Sequence, residues 1–140
     1  MAVQVTTKWL GDMRFESTNP SGHHLFIDAG EENGGKSEGY RPKALMLSGL
    51  AGCSGLDVAS LIKKMKLEVD DFKIDIEANL TEEHPKYYDK VAMHFHFYGN
   101  HLKEKKLQKA VDLSIEKYCG VLEMFRQFSK LNIETHFHTK

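Results

Sequence analysis

Arginine is scarce in this chain. The 140 residues hold three, Arg14, Arg41 and Arg126, against sixteen lysines. Bidentate recognition of phosphate or of base edges favours arginine. A formal net charge of −1 supplies no field for nucleic acid or an acidic membrane. No nucleic-acid partner and no membrane partner are therefore expected. Cysteine is scarcer still, with Cys53 and Cys119 alone. Two distant cysteines do not make the disulfide framework of a small secreted domain. The expected setting is a reduced, cytoplasmic one, with thiols that are either inert or redox-active. No apolar run approaches the ~20 residues of a bilayer span. Residues 1–10 lack the basic flank and apolar core of a secretory leader.

What is present is ordinary for a globular protein, with 41% apolar and 28% charged residues. The length suits one domain, 1–140, with a real core. The stretch Arg41–Met65 reads as one long helix. Pro42 stands where a first-turn proline belongs, with its φ already set. From Ala44 to Ile62 the residues are apolar or small on nearly every side. A helix without a polar face is expected to be buried on several sides. Pro42 to Met65 would run roughly 36 Å, so the rest of the chain, or a second subunit, must wrap it. Gly49, Gly52 and Gly55 recur every third residue and imply close packing against that stripe. Cys53 lies in its middle.

The remaining elements follow from period and punctuation. Val3–Trp9, Met13–Ser17 and His23–Asp28 read as strands separated by Gly11-Asp12 and by Asn19–Gly22. Ala29–Gly39 is a glycine-rich loop, either a connector or a lid. It fits no phosphate-cradling template. Phe72–Ala78 and Val91–Phe97 alternate apolar and polar, as an antiparallel pair of half-buried strands would. Asn100 is a plausible N-cap for an amphipathic helix over His101–Tyr118, with Leu107, Val111, Ser114 or Ile115, and Tyr118 inward. Val121–Leu131 reads as a shorter helix with Val121, Leu122, Phe125 and Phe128 inward. Asn132–Thr139 is a last strand. The order βββ-α-ββ-α-α-β is α+β rather than doubly wound.

The two cysteines form no Cys-x-x-Cys, so neither thioredoxin-like exchange nor a zinc knuckle is supported. A free cysteine is commonly just a small buried hydrophobe. A thiol that reduces a peroxide needs a lowered pKa and a cation or N–H donors around its charge. It also needs a second thiol to capture the sulfenic acid.

Pro42-x-x-Leu45 through Leu50-Ala51-Gly52-Cys53-Ser54-Gly55-Leu56-Asp57-Val58 resembles the central-helix motif of the OsmC/Ohr superfamily (osmotically inducible and organic-hydroperoxide-resistance proteins). Ala110 to Val121, through Leu113-Ser114-Ile115-Glu116-Lys117-Tyr118-Cys119, resembles its second-cysteine motif and points to the OsmC-like branch related to YhfA. With the element order, the resemblance covers essentially the whole chain. It implies an intertwined homodimer with the long central helices inside and the sites at the subunit interface. It implies a cysteine-based peroxidase acting on a small organic hydroperoxide or hydrogen peroxide. Cys53 would be the peroxidatic thiol and Cys119 the resolving thiol. An external dithiol would reopen their disulfide. No metal or flavin is required. An arginine would face the thiolate, with Arg14 the loose match and Arg41 the alternative. The family carboxylate that orients this arginine has Lys43 and Ala44 at the positions open to it.

Two further features stay beside this reading. Asp57, one turn after Cys53, would raise a neighbouring thiol pKa unless it is paired elsewhere. His94 with His96, and His136 with His138, each share a strand face. Such i, i+2 pairs can chelate zinc or nickel if the strands are neighbours. Otherwise they belong to a solvated sheet face. The alternatives to a peroxidase are a non-catalytic OsmC-like protein binding a small apolar or thiol-reactive ligand at the dimer interface, and a metal-binding histidine surface. Apolar residues around Cys53 favour an organic peroxide over hydrogen peroxide.

Overall fold

Strict alternation at residues 72–78 and 91–97 requires a sheet with one apolar face, and that sheet is the centre of the larger of two compact units. The structure is a computed structural model that describes residues 2–139. The chain divides into Met1–Ser48 and Gly49–Lys140.

In the first unit, β1 (Thr6–Trp9), β2 (Phe15–Thr18) and β3 (His24–Ile27) form an antiparallel meander. Pairing begins at Thr6↔Thr18, so β1 is shorter than its alternation predicts. The loop after β3 is tethered. Asp28, 2% exposed, accepts backbone N–H groups from Ala29, Lys36 and Glu38 at 2.8, 3.1 and 3.1 Å. The Glu38 amide does most to hold the Asp28 carboxyl below the usual range, against the opposing effect of burial. Gly35 crosses so close to the Ala29 carbonyl that a Cβ would collide with it. The chain then bridges back from Tyr40 to Ile27 before entering α1 (Pro42–Lys64).

In the second unit, β4 (Asp71–Leu80) pairs antiparallel with β5 (Tyr88–Tyr98). On the other side of β5 lies β6 (Lys130–His138), parallel to it. A parallel neighbour needs a crossover. It is made by α2 (Glu104–Leu113), a π turn (Ser114–Tyr118) and α3 (Gly120–Arg126). The core is Val91, Met93, Phe95 and Phe97 of β5 with Leu107, Ala110 and Val111 of α2 and Leu122 and Phe125 of α3. Phe72 stacks on Phe97 at 4.8 Å between ring centroids.

Several expectations change. Asn100 does not cap α2, because the Gly99 amide is still bonded to the His138 carbonyl and the helix starts later, after Lys103. Tyr118 and Phe128 are exposed rather than inward. Lys130 and Leu131 leave the helix for β6, where they pair with Lys90 and Val91, since the sheet ladder outweighs local helix propensity. α1, 23 residues long, is apolar enough by length and composition to cross a bilayer, contrary to the sequence reading. Within the chain it buries a narrow stripe, Leu50, Ser54 and Val58. Its expected burial on several sides is not met by its own chain. Met46 and Leu56 are 50% and 76% exposed. Of the three glycines, Gly55 meets Ile74 (3.6 Å from an added Cβ), while Gly49 and Gly52 face open space.

Candidate active site

Cys53, Ser54 and Asp57 lie within one turn of α1, so Cys53 and Asp57, four residues apart, stand one above the other. The Cys53 and Cys119 sulfurs and an Asp57 carboxylate oxygen all lie within 4.8 Å of one another. Both cysteines are free, Cys53 half-buried and Cys119 4% exposed. The structure thus brings together two thiols that lie 66 positions apart in the sequence.

The π turn sets this meeting. The Cys119 amide donates to the Ser114 carbonyl at 2.8 Å, five residues back. The wider turn re-aims the helix so that Ser114 and Cys119 both reach α1. Ser114 Oγ donates to Asp57 Oδ2 at 3.0 Å, and Ser54 Oγ donates to Cys119 Sγ at 3.1 Å. Cys119 also caps α3, its sulfur accepting the Leu122 amide at 3.4 Å. Arg126 closes the assembly. It donates to the Ile115 carbonyl in the π turn and pairs with Glu123 at 2.9 Å.

Burial pushes the Cys119 thiol up from the ordinary range. The Ser54 hydroxyl and the Leu122 amide oppose this, and the adjacent Cys53 thiol adds to the rise. Cys119 is therefore held as the protonated thiol at neutral pH. A raised folded-state pKa contributes stability that is complete below the unfolded thiol pKa and is lost as pH rises through the folded value. Ser54→Ala removes a donor to the sulfur. The expected result is a further rise in the pH at which Cys119 ionises, read by thiolate absorbance in a Cys53→Ser background. A stability loss of about 1 kcal/mol should accompany it. An unchanged titration midpoint would mean the hydroxyl does not act on this sulfur.

Arg14 and Arg41 both lie in the first unit. The Arg14 guanidinium covers the Phe26 ring at 4.5 Å, and its Nε is buried without a partner. Arg41 donates to Ser37 Oγ at 3.0 Å and to the Gly39 carbonyl at 3.3 Å. Sequence reasoning missed Ser54, Ser114 and Arg126. The available signal was a serine beside Cys53 in an otherwise apolar helix, since a buried hydroxyl requires a partner. Cys53, Asp57 and Cys119 offer sulfur and oxygen atoms that a metal could share.

An α+β chain whose long helix and helical crossover juxtapose two free thiols is a two-cysteine protein of the OsmC type. Residues 34–134 match the OsmC-like protein family, and the chain belongs to that family. It is 33% identical over 125 residues to Protein YhfA of Escherichia coli K12, covering 89% of this chain and 90% of that one. The crystal structure of a hypothetical protein from Aquifex aeolicus VF5 matches with a TM-score of 0.86 at 31% identity, covering 100% and 98% of the two chains. The organic hydroperoxide resistance protein OhrB of Bacillus subtilis shares the fold, with a TM-score of 0.67 at 20% identity over 96% and 98%.

Proposed function

We propose that this protein is a thiol-dependent peroxidase for small organic hydroperoxides, working as a cytoplasmic homodimer. The observation that carries the reading is the pair of unbonded sulfurs, with Cys119 positioned by Ser54 and kept as a thiol. The Cys53 thiolate attacks the distal oxygen of R–O–OH. The S–O bond forms, the O–O bond breaks and the alkoxide leaves as ROH after taking a proton. Cys53 is then a sulfenic acid. The Cys119 sulfur attacks the Cys53 sulfur, the S–O bond breaks, and hydroxide leaves as water with the Cys119 proton. Disulfide closure needs an S–S distance of about 2 Å, so the sulfurs approach by no more than about 3 Å. An external dithiol restores both thiols by exchange.

A protein of the same fold is named for organic hydroperoxide resistance, which supports this substrate class. The homodimer reading is supported by the apolar surface of α1 that its own chain leaves bare, Leu56 and Met46 included. Arg14, with an unpartnered Nε, is the stronger candidate for the cation of the site, because Arg41 is already engaged by Ser37 and Gly39. The absence of the family carboxylate, with Lys43 and Ala44 in its place, favours a second reading. In that reading the protein binds a small apolar or thiol-reactive ligand without turnover.

A thiol count under denaturing conditions, before and after one equivalent of cumene hydroperoxide, tests the proposal. Wild type is expected to lose both thiols. Cys119→Ser is expected to lose its thiol to a trappable sulfenic acid, and Cys53→Ser to keep its own. Unchanged thiols in wild type would favour the binding reading.

A further inference from the structure

The face of the β4-β5-β6 sheet opposite the core carries four histidines that the thiol chemistry does not use. Register places His94 beside Glu134, His96 beside His136, and Tyr98 beside His138. The side chains lean along the strands and interleave. His94, His136, His96, His138 and Tyr98 stack in succession, alternating between β5 and β6. Their centroid spacings are 5.1, 4.7, 5.1 and 4.7 Å.

Two contacts within the stack join ring nitrogens directly. His94 Nδ1 lies 2.9 Å from His136 Nε2, and His96 Nδ1 lies 2.9 Å from His138 Nε2. Two imidazole nitrogens at that distance share a proton, one donating and one accepting. The first pair has a carboxylate beside it. Glu134 Oε2 is 3.7 Å from His94 Nδ1, and the three ligand atoms lie within 4.8 Å of one another. The second pair has its acid on the far nitrogen, since Asp75 Oδ2 is 3.4 Å from His96 Nε2. A carboxylate there orients the ring and fixes its tautomer rather than joining it as a ligand.

We propose that His94, His136 and Glu134 form a divalent transition-metal site on the outer face of this sheet, with the His96–His138 pair bracing it. An ion bound at about 2.0–2.1 Å to each of two nitrogens, in tetrahedral geometry, separates them by roughly 3.3 Å. The pair therefore opens by only a few tenths of an ångström as the ion takes the place of the shared proton, which moves to the other nitrogen of the donating ring. Two imidazoles and a carboxylate suit zinc, nickel or cobalt. His94 and Glu134 side chains are 28% and 51% exposed, which leaves an entry path and room for water as a further ligand. The site is independent of the thiols and of the peroxidase reading.

Titration of the full-length protein with cobalt(II), followed by absorbance and calorimetry at neutral pH, tests the proposal. The expected result is one saturable equivalent per chain, with visible ligand-field bands and no thiolate-to-cobalt charge transfer. His94→Ala and His136→Ala should each weaken binding by about tenfold or more. Glu134→Gln leaves the ring stack in place and should weaken binding while the unliganded fold melts as wild type. The double variant Cys53→Ser/Cys119→Ser should bind as wild type. No uptake would overturn the proposal and leave a hydrogen-bonded stack of rings. A thiolate charge-transfer band abolished by Cys53→Ser, or uptake unaffected by both histidine variants, would overturn it as well.

Discussion

Steady-state consumption of cumene hydroperoxide with a dithiol reductant is expected to fall by roughly three orders of magnitude or more in Cys53→Ser. A serine hydroxyl neither ionises near neutral pH nor carries the polarisable sulfur that attacks a peroxide oxygen, and loss of a nucleophile commonly costs this much. Cys119→Ser should behave differently. Its Cys53 thiolate reduces one peroxide and the cycle then stalls at the sulfenic acid, because the Ser54-positioned thiol 3.1 Å from the serine hydroxyl is gone. Over-oxidation to the sulfinic acid then becomes the competing fate, visible as a mass gain of two oxygens. If Cys53→Ser retains turnover, the peroxidase assignment fails. If Cys119→Ser turns over as wild type, the resolving thiol is external and the pairing of sulfurs in the structure has another purpose.

The second large effect concerns α1. Leu56, 76% exposed within its own chain, is expected to become buried when two copies meet. Burying a leucine is worth about 1.5–3 kcal/mol, and a two-fold interface counts every substitution twice. Leu56→Glu also places a carboxylate in that contact. The expected result is a dimer dissociation constant raised by roughly a thousandfold or more, measured by sedimentation across a concentration series. Since Leu56 is largely exposed in its own chain, the monomer should keep the circular dichroism of the β4-β5-β6 sheet. A wild-type chain that sediments as a monomer at every concentration would remove the dimer reading.

The two alternating stretches around Phe72–Ala78 and Val91–Phe97 were legible because period two is a local signal that the sheet face converts directly into burial. α1 was legible for the same kind of reason, with Pro42 at its start and Lys63-Lys64 in its last turn. Its burial was not legible, because apolarity shows that a surface must be covered but not what covers it. Residues 128–131 were misread as helix, since the choice between helix and strand there depends on Tyr88–Val91, about forty positions earlier in the chain. Ser129 donates to the Tyr88 carbonyl, and Leu131 pairs with Val91. The histidines show the same limit. Their i, i+2 spacing was plain, but their stacking depends on a parallel register set across two helices.

By itself the sequence determined the class of fold, the elements that alternate, the motifs that place the chain among OsmC-like proteins and the identity of the two thiols. Those properties depend on neighbours a few residues apart, or on residue types alone. Tertiary structure decided that Cys53 meets Cys119, that Asp57 is engaged by Ser114, that Arg41 is engaged in its own loop, and that four imidazoles form one stack. Each of these depends on a turn or a strand register, and a change of one residue there redirects a side chain to another face. The π turn at Ser114–Tyr118 is the clearest instance. One extra residue in a helical turn carries no compositional mark, yet it sets the direction in which the Cys119 sulfur points.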